Sequence, residues 1–259
     1  MLLVIDAGNT NITLGLFRED ELVAQWRLHT EREKSVAEYE ADIRRLFDAS
    51  RISRVEVKGI AIASVVPQLD DALSQIAANF TVQPLFVNHT TDTGLKLLYH
   101  PPSDLGADRI VDAVAAMNKY GMPCIVVDFG TATTFNAVSR DGEFLGGAIS
   151  PGLFTCAEAL FARAAKLPRV EFVRPHVAIG SSTVEAMQSG LYFGYAGLVD
   201  GVIKQMLDGM GSASRIVATG GLAPLIASAS QYIDAIDETL TLDGLRIVYQ
   251  RNRSARVNR

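Results

Sequence analysis

The feature that most constrains this chain is a repeat of its own opening. Shifting the sequence by about 122 residues lays Val4 on Val126, Asp6 on Asp128, Gly8 on Gly130, Arg18 on Arg140, Glu21 on Glu143 and Leu22 on Phe144. Chance supplies a few identities but not a matched order of elements. Both copies read as an apolar strand, an Asp-x-Gly turn, a threonine-rich strand, a charged turn and a third strand. This predicts two related halves, each joining a three-stranded antiparallel unit to an α/β portion, with a cleft where they meet. At 259 residues the chain accommodates two small domains or one large one, and it can bury a core without staples.

Hydrophobic periodicity fills in the elements. Strands are expected at Leu2–Asp6, Asn11–Phe17, Leu22–Leu28, Gly59–Ser64 and Gln83–Val87. Val36, Tyr39, Ile43, Leu46 and Phe47 recur at helical spacing, and Pro67 suits the first turn of a second helix. Residues 88–106, broken by Pro101-Pro102, read as an irregular crossing segment, followed by a helix over roughly 106–120. The second copy begins at Cys124–Asp128. It leads to a helix over 157–164, a short extended piece at 170–173, and a long helix from Thr183 to about Met206. Ser182 with Glu185 predicts a capping box at its start. Gly190, Gly194, Gly197 and Gly201 share one face of that helix, which predicts close approach of another helix, within the chain or across a dimer. Residues 251–259 read as a solvated basic tail.

Composition excludes several classes. Lys plus Arg is 24 and Asp plus Glu 29, a formal charge of −5, which disfavours generic binding to nucleic acid or an anionic membrane. No apolar run reaches the length of about 18 residues needed to span a bilayer. The start lacks the basic flank of a signal peptide. Two cysteines, Cys124 and Cys156, make neither a disulfide framework nor a four-ligand zinc site, and point to the cytoplasm.

The chemistry sits in the repeated turn. Gly8 permits a tight bend and close backbone approach, and successive N–H groups with the hydroxyls of Thr10 and Thr13 suit phosphate oxygens. Asp6 suits magnesium through its waters. An ordinary hairpin is the plain alternative for one such turn. Its second copy, Asp128-Phe129-Gly130-Thr131-Ala132-Thr133-Thr134, makes a nucleotide held between paired turns the better reading. Asp108, in the first turn of a helix, is the best candidate for a general base, although first-turn acids also simply favour the helix dipole. Arg109 can grip a carboxylate, or merely pair with Asp112 at the surface.

The twin motif resembles the superfamily of sugar kinases, actin and heat-shock chaperones. More narrowly, Asp6–Thr13, Gly106-Ala107-Asp108-Arg109, Asp128–Thr134, Gly146–Gly152 and Ile179–Thr183 resemble type III pantothenate kinase across essentially the whole chain. The resemblance implies an α/β fold of two duplicated ribonuclease H-like (actin-like ATPase) domains with a cleft, placed at 1–105 and 106–259. It implies transfer of the ATP γ-phosphate to the primary hydroxyl of pantothenate, with Mg2+ and a monovalent cation (K+ or NH4+), by a homodimer. By the same resemblance Asp6, Ala7, Gly8, Asn9, Thr10, Asn11, Ile12, Thr13 and Thr131 bind ATP. Tyr99, Gly106, Ala107, Asp108, Arg109 and Thr183 line the pantothenate pocket, with Asp108 as base, and Asp128 holds the monovalent cation. The alternatives are another small-molecule (sugar) kinase of this superfamily and a nucleotide-binding transcription accessory factor. Asp108 favours catalysis, because a sensor needs no base.

Overall fold

The computed structural model describes residues 1–211 and 214–257. Its elements run β1 (Leu2–Ala7), β2 (Asn11–Arg18), β3 (Glu21–His29), α1 (Val36–Ala49), β4 (Gly59–Ser64), α2 (Pro67–Ala78), β5 (Leu85–Phe86), β6 (Lys96–Leu97) and α3 (Ala107–Tyr120). There follow β7 (Cys124–Phe129), β8 (Ala132–Val138), β9 (Glu143–Pro151), α4 (Leu153–Arg163), α5 (Thr183–Met210), β10 (Arg215–Thr219), α6 (Ala223–Ala227), β11 (Ala235–Ile236) and α7 (Leu240–Val257).

The repeat is realised as topology. One sheet has the order β3-β2-β1-β4-β5, and the other contains β9-β8-β7-β10-β11 with β6 added beyond β9. In each, the first three strands are antiparallel and the last two run parallel to the first. Even the irregularities repeat: β2 shifts register against β3 at Leu16/Phe17, and β8 against β9 at Ala137/Val138. The second copy of the opening hairpin is one residue shorter, since Ala7 faces Ile12 whereas Phe129 faces Thr133.

The chain forms two compact units that interleave in sequence. The first comprises Met1–Leu95, His100–Ala115 and the segment from Leu240; the second comprises Lys96–Tyr99 and Ala116–Thr239. Leu3, Ile5, Leu14, Ile60 and Ile62 build the core of the first unit against Tyr39, Ile43 and Phe47 of α1 and Leu69, Leu73 and Ile76 of α2. In the second, Ile125, Val127 and Phe135 pack with Tyr192, Tyr195, Val199 and Ile203 of α5 and Ile226 of α6. The parallel strands β1 and β7 are buried on both faces, hence their continuous apolar runs.

Several expectations change. The crossing segment is not wholly irregular: Lys96–Leu97 pair in parallel with Glu143–Phe144, and the Lys96 ammonium meets Glu143 at 2.7 Å. The strand expected over 83–87 shrinks to Leu85–Phe86, and no strand forms over 170–173. Helix α4 starts at Leu153 rather than at 157, and α5 continues to Met210, where Gly211 caps it at φ +60°. Half of the predicted capping box forms. Ser182 accepts from the Glu185 N–H, but the Glu185 carboxylate turns to the Ser181 N–H at 2.7 Å and to its hydroxyl at 2.8 Å.

The basic end, as far as it is described, is not a tail. It continues α7, whose Leu242, Leu245 and Val248 are buried, and Arg251 donates to Asp92 at 2.7 Å. Residues 258–259 lie outside the described part. Gly244 of α7 lies so close to the Val111 carbonyl of α3 that any side chain there would overlap it. The four-glycine face of α5 behaves oppositely: a Cβ at Gly190, Gly194, Gly197 or Gly201 would meet nothing within 4 Å.

Candidate active site

In the first unit, Asp6 ends β1 opposite Thr13 on β2 and beside Ala63 on β4, at the carboxyl end of two parallel strands. The turn that follows is closed by the Gly8 N–H donating to Asn11 O at 3.0 Å. Thr30, the residue after β3, clamps it twice: its hydroxyl donates to Gly8 O at 2.7 Å, and its N–H donates to Thr10 O at 2.9 Å. Thr30 itself is buried. The carbonyls of Gly8, Thr10 and Asn11 are thereby all engaged inside the protein, while Asn9 and Thr10 are exposed at the tip. Among the described residues the Asn9 N–H meets no acceptor. Ala7 and Ile12 have their side chains in the core, so of the candidate nucleotide contacts these two offer backbone alone.

Asp108 reaches the same end of this unit. The Ala7 carbonyl accepts from the Val65 N–H at 3.0 Å, just beyond β4. A Cβ on Gly106 would stand 3.4 Å from Val65 Cγ1 and would overlap the Asp108 carboxylate. Gly106 is therefore the spacer that lets Asp108 fold back beside the exit of β4. The carboxylate accepts from the Arg109 N–H at 2.7 Å. Burial raises the Asp108 carboxyl above its ordinary value, against the opposing pull of Arg109's N–H and charge. Ala107 is buried, and so are Arg109 and Asp112; Asp112 accepts from Thr241 at 2.7 Å.

In the second unit, Asp128 ends β7 opposite Thr134 and beside Thr219 of β10. Gly220, at φ +89°, lies against it: a Cβ there would come 2.5 Å from the carboxylate and 2.7 Å from the backbone of Phe129. The turn is closed by the Gly130 N–H donating to Ala132 O at 3.1 Å. The Thr131 carbonyl accepts from the Gly152 N–H at 3.1 Å and from the Thr155 hydroxyl at 2.8 Å. Behind the turn Tyr195 bonds Thr133 at 2.6 Å and donates to Pro151 O at 2.9 Å. Tyr99 follows β6, half-buried, with its ring edge-on to Phe144 at 6.2 Å. Thr183 is the exposed first residue of α5.

Sequence reading left Thr30 and Gly220 out of the candidate site. The signal for Gly220 was present, a strand ending in Thr219-Gly220-Gly221. Thr30 carried none, because a threonine after a strand is ordinary. Among the described residues no three His, Cys, Asp or Glu side chains cluster as a metal cage. Single carboxylates at Asp6 and Asp128 fit ions whose remaining ligands are phosphate oxygens, water or backbone carbonyls.

Comparison with known proteins places this arrangement. Residues 2–205 match the family described as type III pantothenate kinase. Proteins named type III pantothenate kinase from Koribacter versatilis and Anaeromyxobacter sp. are each 50% identical to this chain, covering 98% of it and 97% and 100% of their own lengths. The one from Geobacter sulfurreducens is 48% identical over 98% of this chain and 100% of its own. Among solved structures, the (R)-2-hydroxyglutaryl-CoA dehydratase component A of Acidaminococcus fermentans superposes with a TM-score of 0.60 at 12% identity, covering 98% of each chain. The inorganic polyphosphate/ATP-glucomannokinase of Arthrobacter sp. strain KM does so at 0.51 and 12% identity, with 98% of each chain covered. These two speak for the duplicated actin-like fold. The paired Asp-Gly turns and the full-length identity together establish that this chain belongs to the type III pantothenate kinase family.

Proposed function

We propose a division of labour among these residues for the reaction of this ATP-dependent pantothenate kinase. Asp108 is the base. Its place beside the β4 exit, at the same end of the unit as the Gly8–Asn11 turn, is the observation that carries this assignment, and burial favours the protonated form there. As the primary hydroxyl of pantothenate attacks the γ-phosphorus, Asp108 takes its proton, the new O–P bond forms, and ADP leaves. The Asp6–Thr13 turn holds the terminal phosphates through backbone donors, and the Thr131 turn holds the rest of the nucleotide. Tyr99, Gly106, Ala107, Arg109 and Thr183 form the pantothenate pocket, with Arg109 answering its carboxylate.

Asp6 holds a divalent ion through water, and Asp128 holds a monovalent one, K+ or NH4+. Magnesium, when bound, offsets charge on the β- and γ-phosphates. Gly220 supports the Asp128 assignment, since its missing side chain leaves that carboxylate in place.

The enzyme works as a homodimer through α5. The open glycine face and the neighbouring exposed Phe193, Val184 and Ile179 (the last 89% exposed) support this reading. A formal charge of −5 disfavours nucleic acid and anionic membranes as partners, and no helix among the described residues is long and apolar enough to cross a bilayer. We place the enzyme in the cytoplasm, where free thiols such as Cys124 and Cys156 stay reduced.

The test is a coupled ADP-release assay with ATP, offering pantothenate against a panel of sugars, with potassium exchanged for sodium. Turnover of pantothenate alone, lost in sodium, is expected. Turnover of a sugar would move the chain to another kinase of this fold, and equal rates in both salts would remove the monovalent site.

A further inference from the structure

The segment after β3 is held far more firmly than a connection needs. Thr30 is pinned to Gly8 and Thr10. The Glu31 N–H donates to the Tyr39 hydroxyl, which donates back to Glu31 O, both at 2.8 Å. Lys34 meets Glu31 at 2.9 Å and Asp42 at 2.7 Å. Ser35 caps α1 through a complete capping box with Glu38. The six residues 30–35 are thus tied to the turn at one end and to α1 at the other.

Arg32 stands in the middle of this strap and is exposed. The carboxylates beside it do not take it: Glu31 is engaged by Lys34, and no ion pair joins Arg32 to any described residue. Its guanidinium instead donates to the Asn9 side-chain oxygen at 3.1 Å. With one lone pair of that oxygen taken, Asn9 offers its amide N–H2 and Arg32 its remaining N–H groups. The pair is rich in donors, next to the unaccepted Asn9 N–H. Holding a long side chain on a neutral amide costs rotamer entropy for a weak bond, so the arrangement gains most when an anion completes it.

We propose that Arg32 is a phosphate-binding residue of the nucleotide site, gripping the terminal phosphate of ATP together with Asn9. The inference rests on the Gly8–Asn11 turn being the phosphate turn. The terminal phosphate is specified because Asp108, whose acceptor must face that phosphorus, lies at the same end of the same unit. The geometry of the strap is local, so the residue acts by direct contact and not through the core.

The experiment measures ATP and ADP binding by calorimetry, and KM and kcat for ATP, in Arg32→Ala, Arg32→Lys and Asp6→Asn. Arg32→Ala should weaken ATP by about 10–100-fold, the range for a charge-assisted contact. ADP should weaken less than about threefold, Arg32→Lys should recover part of the loss, and the melting temperature should stay put because the side chain is exposed. Equal weakening of ATP and ADP would move the contact off the terminal phosphate and overturn the proposal. Unchanged ATP binding in Arg32→Ala, with Asp6→Asn impaired, would remove Arg32 alone. Unchanged binding in Asp6→Asn would remove the phosphate-turn reading on which it rests.

Discussion

The two units share a strand order but differ in their side chains at two positions around one turn. The N–H after the third strand clamps the turn in both: Thr30 onto Thr10 O, Gly152 onto Thr131 O. A hydroxyl adds a second bond in both, from Thr30 itself in the first unit and from Thr155, three residues on from Gly152, in the second. Beyond the clamp they diverge. Two residues past it the first unit carries Arg32 and the second Phe154, which is 54% exposed. One residue past the partner of the aspartate on the fourth strand, the first unit carries Ser64 and the second carries Gly220 against Asp128. The duplicated backbone makes the same clamped turn twice. Side chains then specialised one copy for polar donors and the other for a buttressed carboxylate.

The comparison breaks most sharply at Asp108, which has no counterpart carboxylate in the second unit's assigned chemistry. Asp108→Asn should lower turnover by about 10²–10⁴ while ATP binding persists; steady-state rates within a few-fold of the parent would end its role as base. Its pH signature has a definite sign. A raised carboxyl pKa means the folded protein holds the proton longer than the unfolded chain does. Stability is therefore lost as pH rises from the ordinary carboxylate value through the raised one. Asp108→Asn should match the parent's melting temperature in acid and melt higher at neutral pH. The acid limb of kcat/KM should likewise sit above the usual carboxylate range.

Next in size is Gly220→Ser, which writes the first unit's residue into the second. The positive φ and the overlap with Asp128 should cost about 1–3 kcal/mol and abolish activation by potassium. Retained potassium dependence, read from rates in potassium against sodium, would separate Gly220 from the cation. Thr30→Val keeps the shape and removes one hydroxyl, so kcat/KM for ATP should fall about 2–10-fold, in line with a neutral hydrogen bond. A Thr155→Val variant read in the same assay shows whether the two clamps carry equal weight.

The smallest effect concerns α5. In an isolated chain Gly194→Ala should stabilise by about 0.5–1 kcal/mol, since nothing stands within 4 Å of the new methyl. If a second copy covers that face, the same change lowers the melting temperature and loosens the dimer seen by light scattering. A stabilised variant with unchanged mass would detach the glycine face from assembly.

Much of this was legible beforehand because strands β1 and β7 are short, continuous apolar runs ending in Asp-x-Gly, a local pattern with few other readings. Strand β4, a short apolar run, and helix α3 were legible to within a residue of their ends. Strand β6 was not: two residues with one charged side chain carry no period, and only the open edge of β9 makes them a strand. The basic end misled because charge suggests a solvated face. The buried Leu242, Leu245 and Val248 upstream make it the last turns of a packed helix.

By itself the sequence determined the duplication, the turn that follows each opening strand, and the acid at the head of α3, because each depends on backbone permissiveness and near-neighbour spacing. Tertiary structure alone decided that Thr30 locks the first turn, that Gly220 shields the place of Asp128, and that Arg32 leans on Asn9. Those relations join residues about 20 to 90 positions apart. Contacts across such separations are set by how sheets and helices pack, and not by any periodicity the chain displays along its length.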